Sequence, residues 1–196
     1  LVIQSAPSVE ALIRDDLMAV VALKHDALLL TGQGAADEPL GLLNVGGTNH
    51  VTFGGAAASW GQVVDFETQL GKFNADGGSM AYATTPTVRG KWKTTAQALI
   101  GATTVSARPL WEPGRDSSTG TVNGFPAFST NQIPGGKVVF GDFEQLVMGQ
   151  WGGLEIIVDP YTRAKKAEII ITINTWIDCV IRHAQSFTIS TDAGDQ

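Results

Sequence analysis

Apolar side chains recur at three- and four-residue spacings near the start of the chain. Within residues 8–30 they gather on one side of a helical wheel, at Val9, Leu12, Ile13, Leu17, Val20, Val21 and Leu28. This spacing predicts a long amphipathic helix of about six turns. Ser8 is a suitable N-cap after Pro7, and Gly32 with Gly34 supplies the stop.

A different period, of two residues, marks the last third of the chain. Apolar residues fall at odd positions (Ile169, Ile171, Ile173, Ile177, Cys179, Ile181) and polar ones at even positions (Glu168, Thr172, Asn174, Asp178, Arg182). The alternation predicts a long strand with one buried face. We expect it to bend or break near His183 and to continue into a short strand at residues 186–190. The segment at residues 154–160 predicts its partner, closed by Asp159 and Pro160.

Shorter elements are predicted between these two. We expect a short strand at residues 50–53, a helix at 59–71, a strand at 79–85, and a third helix that begins at Pro86 and runs to Trp92. Further short strands fit residues 109–113, 121–130 and 137–143. The predicted fold class is therefore α+β, with a long antiparallel strand pair at the end.

Composition narrows the range of functions. The chain of 196 residues carries 13 basic and 19 acidic residues, a net charge of -6, and its basic residues are scattered. Sequence-specific nucleic-acid binding is therefore not expected. No apolar run approaches the roughly 20 residues that cross a bilayer, so we expect no membrane partner. The single cysteine, Cys179, cannot form an internal disulfide and is expected to be a buried, unreactive thiol.

Two glycines after the first helix, Gly32 and Gly34, resemble the start of a phosphate-binding loop. Such loops need a strand before the glycines and a helix after them, which is the reverse of the order here. Asp37 and Glu38 would also repel a phosphate. We therefore interpret this segment as a helix C-cap and turn, and keep an enzyme that uses the loop at residues 32–41 only as a minor alternative.

No other pattern indicates chemistry. His25, His50 and His183 lie far apart and lack the spacing of metal ligands, and there is no Gly-x-Ser-x-Gly elbow. We predict no catalytic residue, no cofactor and no metal. The long elements favour assembly instead: the helix would span roughly 35 Å and the strand about 50 Å. Such elements suit a flat protein packed against copies of itself.

An ordered series of motifs resembles the major capsid protein of tailed double-stranded DNA phages, with the Hong Kong 97 type of fold. After the long helix come Gly-x-Gly and Pro-x-Gly-Leu-Leu-Asn; then Gly-Asp-Phe, a Gly-Leu-Glu-Ile strand, Asp-Pro-Tyr and the long strand. The resemblance extends along essentially the whole chain. It implies a set of family structural positions: Gly32, Gly34, Pro39, Gly41, Leu42, Asn44, Gly141, Asp142, Asp159 and Pro160.

The resemblance also implies a division of the chain. Residues 1–34 would hold the spine helix of a peripheral domain, residues 35–150 mainly an axial domain, and residues 151–196 the long strands that return to the peripheral domain. Family members carry an N-terminal arm and an extended loop before the spine helix. This sequence begins at the helix, so we expect a truncated fragment or a degenerate prophage product.

The implied function is a structural one. The protein would be a shell subunit whose partners are further copies of itself, in capsomers that are hexamers and pentamers for a full-length protein. The shell would enclose DNA without sequence-specific binding, and its place would be the virion, after synthesis in the bacterial host cytoplasm. An encapsulin-like compartment shell is the alternative with the same fold. Some members cross-link lysine to asparagine, but residues 169–176 lack a convincing asparagine–glutamate pair, so no cross-linking residue is carried over.

Overall fold

The computed structural model describes residues 7–35, 37–98, 108–166 and 169–193. Along this part of the chain lie the helices α1 (Pro7–Thr31), α2 (Trp60–Gly71) and α3 (Pro86–Thr94). The strands are β1 (Asn49–His50), β2 (Met80–Thr84), β3 (Trp111–Pro113), β4 (Thr119–Val122), β5 (Phe125–Ser129), β6 (Val138–Asp142), β7 (Leu146–Asp159), β8 (Ile170–Ile181) and β9 (Phe187–Ser190). This mixture of helices and strands confirms the predicted α+β class.

The strands form two separate sheets in the described part of the chain. The larger sheet has seven strands in the order β1-β9-β6-β2-β5-β4-β3. It is mixed, because β2 runs parallel to β5 and β1 parallel to β9 while the other pairs are antiparallel. The second sheet contains β7 and β8 alone, and we call it the long hairpin. It confirms the predicted antiparallel pair, although β7 begins at Leu146, well before the predicted start at residue 154.

The hydrophobic core lies where α2 and α3 pack on one face of the larger sheet. Phe66, Tyr82, Trp92 and Phe140 are fully buried there. The ring of Tyr82 stacks on Phe140 with centroids 4.1 Å apart, and its hydroxyl donates to the carbonyl oxygen of Val63 at 3.2 Å. Burial raises the pKa of Tyr82, because the charged form would lose its hydration. The hydroxyl therefore stays protonated and serves as a donor.

Local capping explains why the two shorter helices begin where they do. The hydroxyl of Ser59 accepts from the backbone N–H of Gln62, and the Gln62 side chain accepts from the N–H of Ser59 at 3.0 Å, which completes a capping box. Thr85 caps α3 by accepting from the N–H of Val88 at 3.3 Å, and Pro86 occupies the first turn. Both predicted helices are confirmed.

Helix α1 matches the predicted long helix, but its apolar stripe is only partly covered within the subunit, where Ile13, Leu17, Val21 and Leu28 are half-buried. It begins at Pro7, so Ser8 lies inside the helix instead of capping it. Leu12, Val20 and Leu23 each leave more than half of their surface exposed. The side chain of Val9 lies outside the described part. Only the end of α1 is closely held, which the next subsection describes.

The prediction of one buried face on β8 is wrong in part. Odd positions are the less exposed ones, as expected, but within β8 only Cys179 is buried. A cavity of about 710 Å³ between α1 and the 173–177 stretch of β8 explains this, because the helix lies too far away to cover the strand closely. On the even face, Trp176 and Val180 are apolar and more than half exposed. Glu168 lies outside the described residues.

The chain then leaves the long hairpin as predicted. A short 3-10 turn at Ala184–Ser186 interrupts it after His183, and β9 follows in the larger sheet between β1 and β6. The short strand predicted at residues 50–53 is smaller than expected, since β1 contains only Asn49 and His50. Among the described residues, no helix combines the length and apolar character that a membrane span requires.

We predict that truncating the core will cost far more stability than truncating the long hairpin. Phe140→Ala removes a fully buried ring and should lower the free energy of unfolding by about 3–5 kcal/mol. Ile171→Ala, at a half-buried position of β8, should cost less than half as much. Urea denaturation followed by tryptophan fluorescence measures both, and equal losses would contradict this location of the core.

Candidate assembly surface and the junctions that shape it

The end of α1 is fixed by a tight backbone loop. The N–H of Gly32 donates to the carbonyl oxygen of Leu28 at 2.9 Å and ends the helix. The N–H of Gly34 then donates to Pro39 at 3.2 Å, and the N–H of Gly41 donates back to Gly32 at 2.9 Å. These three N–H groups, which a phosphate-binding loop would direct at its ligand, are therefore used to close the turn.

Glycine is required in this loop because two backbone segments touch. A Cβ atom on Gly32 would lie 2.2 Å from the carbonyl oxygen of Pro39, and one on Gly41 would lie 2.4 Å from the nitrogen of Gly32. Gly34 has a φ of 68°, a conformation that glycine adopts without strain. Any side chain at Gly32 or Gly41 would push the segments apart.

Two further motif residues bind the loop to its surroundings. The side-chain amide of Asn44 donates to the carbonyl oxygens of Thr31 at 2.9 Å and Gly32 at 2.8 Å. It thus gives a partner to the last carbonyl of the helix and a second donor to Gly32, beside the N–H of Gly41. Leu42 is fully buried in a second hydrophobic cluster with Val139, Phe187 and Ile189 of the larger sheet. Together they attach the end of α1 to that sheet.

Gly141 and Asp142 lie at a second junction, where β6 ends. A Cβ on Gly141 would lie 2.3 Å from the carbonyl oxygen of Ser186, so glycine is needed for the close approach to the chain entering β9. The buried carboxylate of Asp142 accepts from the backbone N–H groups of Ser79 and Glu144, each at 3.1 Å, and from the Gln145 side chain at 3.0 Å. This junction links β2, β6 and the start of the long hairpin.

Asp159 and Pro160 lie at a third junction, the turn between β7 and β8. The Asp159 carboxylate accepts from the N–H groups of Tyr161 at 2.8 Å and Thr162 at 3.1 Å, and from the Thr162 hydroxyl. The hydrogen bond from that hydroxyl, with those from the two N–H groups, lowers the pKa of Asp159. The carboxylate is thus charged at neutral pH, and the turn holds a defined shape although it is exposed.

The motif residues therefore occupy three separate junctions and do not converge on one pocket. Among the described residues, no group of three histidine, cysteine or carboxylate side chains is placed to hold a metal ion. Cys179 is buried as predicted, and burial, with the nearby Asp178, raises the pKa of its thiol. A raised pKa disfavours the nucleophilic thiolate. In the described part of the chain, the motif residues therefore serve as structural contacts.

The long elements carry exposed apolar faces that the subunit itself does not cover. On α1, Leu12, Val20 and Leu23 share one side of the helix and are each more than half exposed. On the long hairpin, Val147, Trp151, Trp176 and Val180 share one face, because Val147 pairs with Val180 and Trp151 with Trp176. Extended apolar surface of this kind is typical of protein interfaces. We call these two faces the assembly surface.

Sequence reasoning missed the hairpin part of this surface. Trp151 and Trp176 are paired across β7 and β8, and they are 61% and 55% exposed. A signal was present, because Trp176 and Val180 stand at even positions that the one-faced interpretation expects to be polar. Large apolar residues on both faces of a strand do not fit the one-faced interpretation.

Comparison with known proteins agrees with a structural role. Residues 1–192 match the model of the Phage capsid family. The chain is 32% identical over 187 residues to the major capsid protein of Halomonas phage phiHAP-1, an alignment that covers 95% of this chain and 29% of that protein. The chain thus spans less than a third of the length of this relative. The protein belongs to the Phage capsid family.

Solved structures share the fold at low sequence identity. The capsid of an empty GTA particle superposes with a TM-score of 0.73 at 17% identity, over 97% of this chain and 68% of that one. The holo-SrpI encapsulin complex from Synechococcus elongatus PCC 7942 gives a TM-score of 0.57 at 15% identity, over 93% of this chain and 66% of that one. The predicted phage capsid fold is confirmed, and family membership indicates a structural protein.

We predict that the Gly32–Gly41 contact is a measurable source of stability. Gly41→Ala places a methyl group against the backbone of the other segment and should cost about 1–3 kcal/mol of unfolding free energy. Gly46→Ala is the matched control, because nothing lies within 4 Å of the added carbon, and it should change stability by less than about 0.5 kcal/mol. Thermal denaturation of the two variants makes the comparison. Equal stabilities would show that the close approach is not required.

Proposed function

We propose that this protein is a structural subunit of a phage or prophage capsid shell that assembles with copies of itself. The observation that carries the proposal is the assembly surface. It consists of apolar faces on α1 and on the long hairpin, and each of these elements is held to the larger sheet at one end only. Isolated exposed hydrophobic residues are ordinary, but rows of them along a 25-residue helix and a 14-residue strand are not. Neighbouring subunits would remove this surface from water.

Multiplicity makes such faces sufficient for a shell. Each contact between subunits can be weak on its own, since a closed assembly lets every subunit use several contacts at once. The first two junctions support this role, because they fix the direction in which α1 and the long hairpin leave the larger sheet. The third junction shapes the far end of the hairpin. Errors in the direction of α1 or the long hairpin would accumulate across many copies. The close glycine contacts therefore keep the direction of these elements the same in every subunit.

We propose further that the shell encloses double-stranded DNA without sequence-specific binding, and that its place is the virion after synthesis in the host cytoplasm. The net charge of -6 supports enclosure without tight binding, because strong attraction to phosphates would require clustered basic residues on the lining. Hexameric and pentameric capsomers are the arrangement that we expect of the full-length protein.

We also propose a division into two domains. Helix α1 and the long hairpin would form the peripheral domain, and the seven-stranded sheet with α2 and α3 the axial domain. Strand β9 pairs within the larger sheet, so we assign residues 187–193 to the axial domain instead of grouping them with the long strands. The ten motif residues would then act at the junctions between and within these domains.

A compartment shell of the encapsulin kind is the second candidate. The likeness to the encapsulin complex from Synechococcus elongatus supports it, since the same fold underlies that assembly. Its contents would distinguish the two functions, because a compartment shell would hold a cargo protein where a capsid holds nucleic acid. We assign no catalytic function, since the N–H groups of the glycine loop are engaged in closing the turn.

We predict that disrupting the assembly surface on α1 prevents particles from forming without unfolding the subunit. Val20→Asp with Leu23→Asp places two charges on exposed positions, so the midpoint of thermal unfolding should stay within a few degrees of the parent value. Asp16→Asn on the same helix is the control and should assemble normally.

Negative-stain microscopy of particles made by cells that express the full-length protein, with or without these substitutions, measures assembly. Nuclease treatment followed by extraction identifies protected DNA. Uniform shells with protected DNA from the parent and control, and none from the charged variant, are the expected outcome. Shells that contain a protein cargo and no nucleic acid would favour the compartment function. A parent protein that forms no particle under any condition would refute both.

A further inference from the structure

A depression of about 480 Å³ lies where the turn after α1 meets the long hairpin. It is lined by the carboxylates of Asp37, Glu38 and Asp178 and by the rings of Trp151 and Trp176. The three carboxylates are exposed, and both rings leave more than half of their surface exposed. We call this feature the acidic pocket. Its chemistry suits a partner that offers cationic groups, which carboxylates and tryptophan faces both attract.

The tip of the long hairpin, residues 160–166, has the complementary character. Three of the 13 basic residues of the chain lie in it, at Arg163, Lys165 and Lys166, while the whole connection between β7 and β8, residues 160–169, contains one acidic residue, Glu168. Lys165 and Lys166 are exposed, and Tyr161 is 85% exposed. The hydrogen bonds from Tyr161 and Thr162 to Asp159 hold the base of the tip in shape. A preorganised tip loses less conformational entropy on binding than a flexible one.

The tip cannot reach the acidic pocket of its own subunit. The strands are paired at Trp151↔Trp176 and at Asp159↔Ile170, and Ile170 lies six positions along the extended strand from Trp176. That spacing puts the tip about 20 Å from the tryptophan pair along a paired hairpin. A complementary tip and pocket that cannot meet within one chain can meet between two chains.

We propose that the hairpin tip of one subunit docks into the acidic pocket of a second copy. Lys165 and Lys166 face the carboxylates of Asp37 and Glu38, and the tip lies against the rings of Trp151 and Trp176. In the shell this contact runs head to tail, from the tip of one subunit to the pocket of the next, so repeating it generates a ring or an extended lattice of subunits. This inference rests on the proposed shell function, in which a contact between copies has its role.

Disulfide trapping in a mixture tests the contact directly. The buried Cys179 is first replaced by alanine, since it is the single cysteine of the chain. One preparation then carries Lys165→Cys and a second, tagged preparation carries Glu38→Cys. Mild oxidation of the mixture should give a heterodimer at a yield about tenfold above that of the control mixture. The reason is that docking of the tip in the pocket raises the local concentration of the two thiols. In the control, Lys165→Cys is paired with Thr121→Cys, an exposed site on β4.

Charge reversal supplies a second readout on the whole chain. Lys165→Glu with Lys166→Glu, and Asp37→Lys with Glu38→Lys, should each reduce self-association in sedimentation velocity at low salt. Mixing the two reversed proteins should restore it, because each then offers a partner of opposite charge to the other. Salt should weaken the association of the parent protein, as expected for exposed charges.

The outcomes separate this contact from the shell function. Particles in the microscope without the heterodimer, or with no effect of charge reversal, would overturn the contact and leave the shell function standing. A heterodimer and charge rescue without any particle would support the contact and count against a shell. Neither particles nor heterodimer would overturn both. A tip that binds a DNA duplex, loses it on Lys165→Glu with Lys166→Glu, and gives no heterodimer would overturn the contact in favour of nucleic acid.

Discussion

The contact between the backbones at Gly32 and Gly41 fixes where the long helix leaves the body of the protein. With no side chain on either residue, two segments approach to a distance that a Cβ atom would forbid. The amide of Asn44 and the buried side chain of Leu42 then attach this crossing to the larger sheet. The direction of α1 is therefore set by a few residues at one end, while most of its length stays free of the subunit core.

The same design recurs at the long hairpin, which is held near β6 by Asp142 and the packing of Leu146 and Ile181. Elements attached at one end cannot bury their flanks within a subunit of this size. Their apolar residues consequently remain exposed in the single chain, where they are available to form contacts between chains. The core formed by α2, α3 and the seven-stranded sheet has the opposite character, since its aromatic rings are fully buried without any partner.

Local rules account for what the sequence could predict. The three helices follow from periodicity, and the starts of α2 and α3 follow from the Ser59 capping box and from Pro86, all of which act within a few residues. Burial of β8 could not be predicted in the same way, because it depends on how far α1 lies from the strand. Trp176 and Val180 already pointed to a second covered face. The glycine motif was recognisable as a turn, but the need for Gly32 and Gly41 together emerges only when the two segments are seen in contact.

Amide hydrogen exchange, measured on the free subunit and on the assembled particle, compares the core of the larger sheet directly with the two long elements, α1 and the long hairpin. We expect β2 and β6 to exchange slowly in both states, since they lie at the centre of the larger sheet. Residues 12–24 of α1 and the β7–β8 hairpin should exchange quickly in the free subunit and slowly in the particle, where neighbours would cover them. If residues 12–24 are already as protected as β6 in the free subunit, the claim that assembly completes the burial of the long elements is wrong.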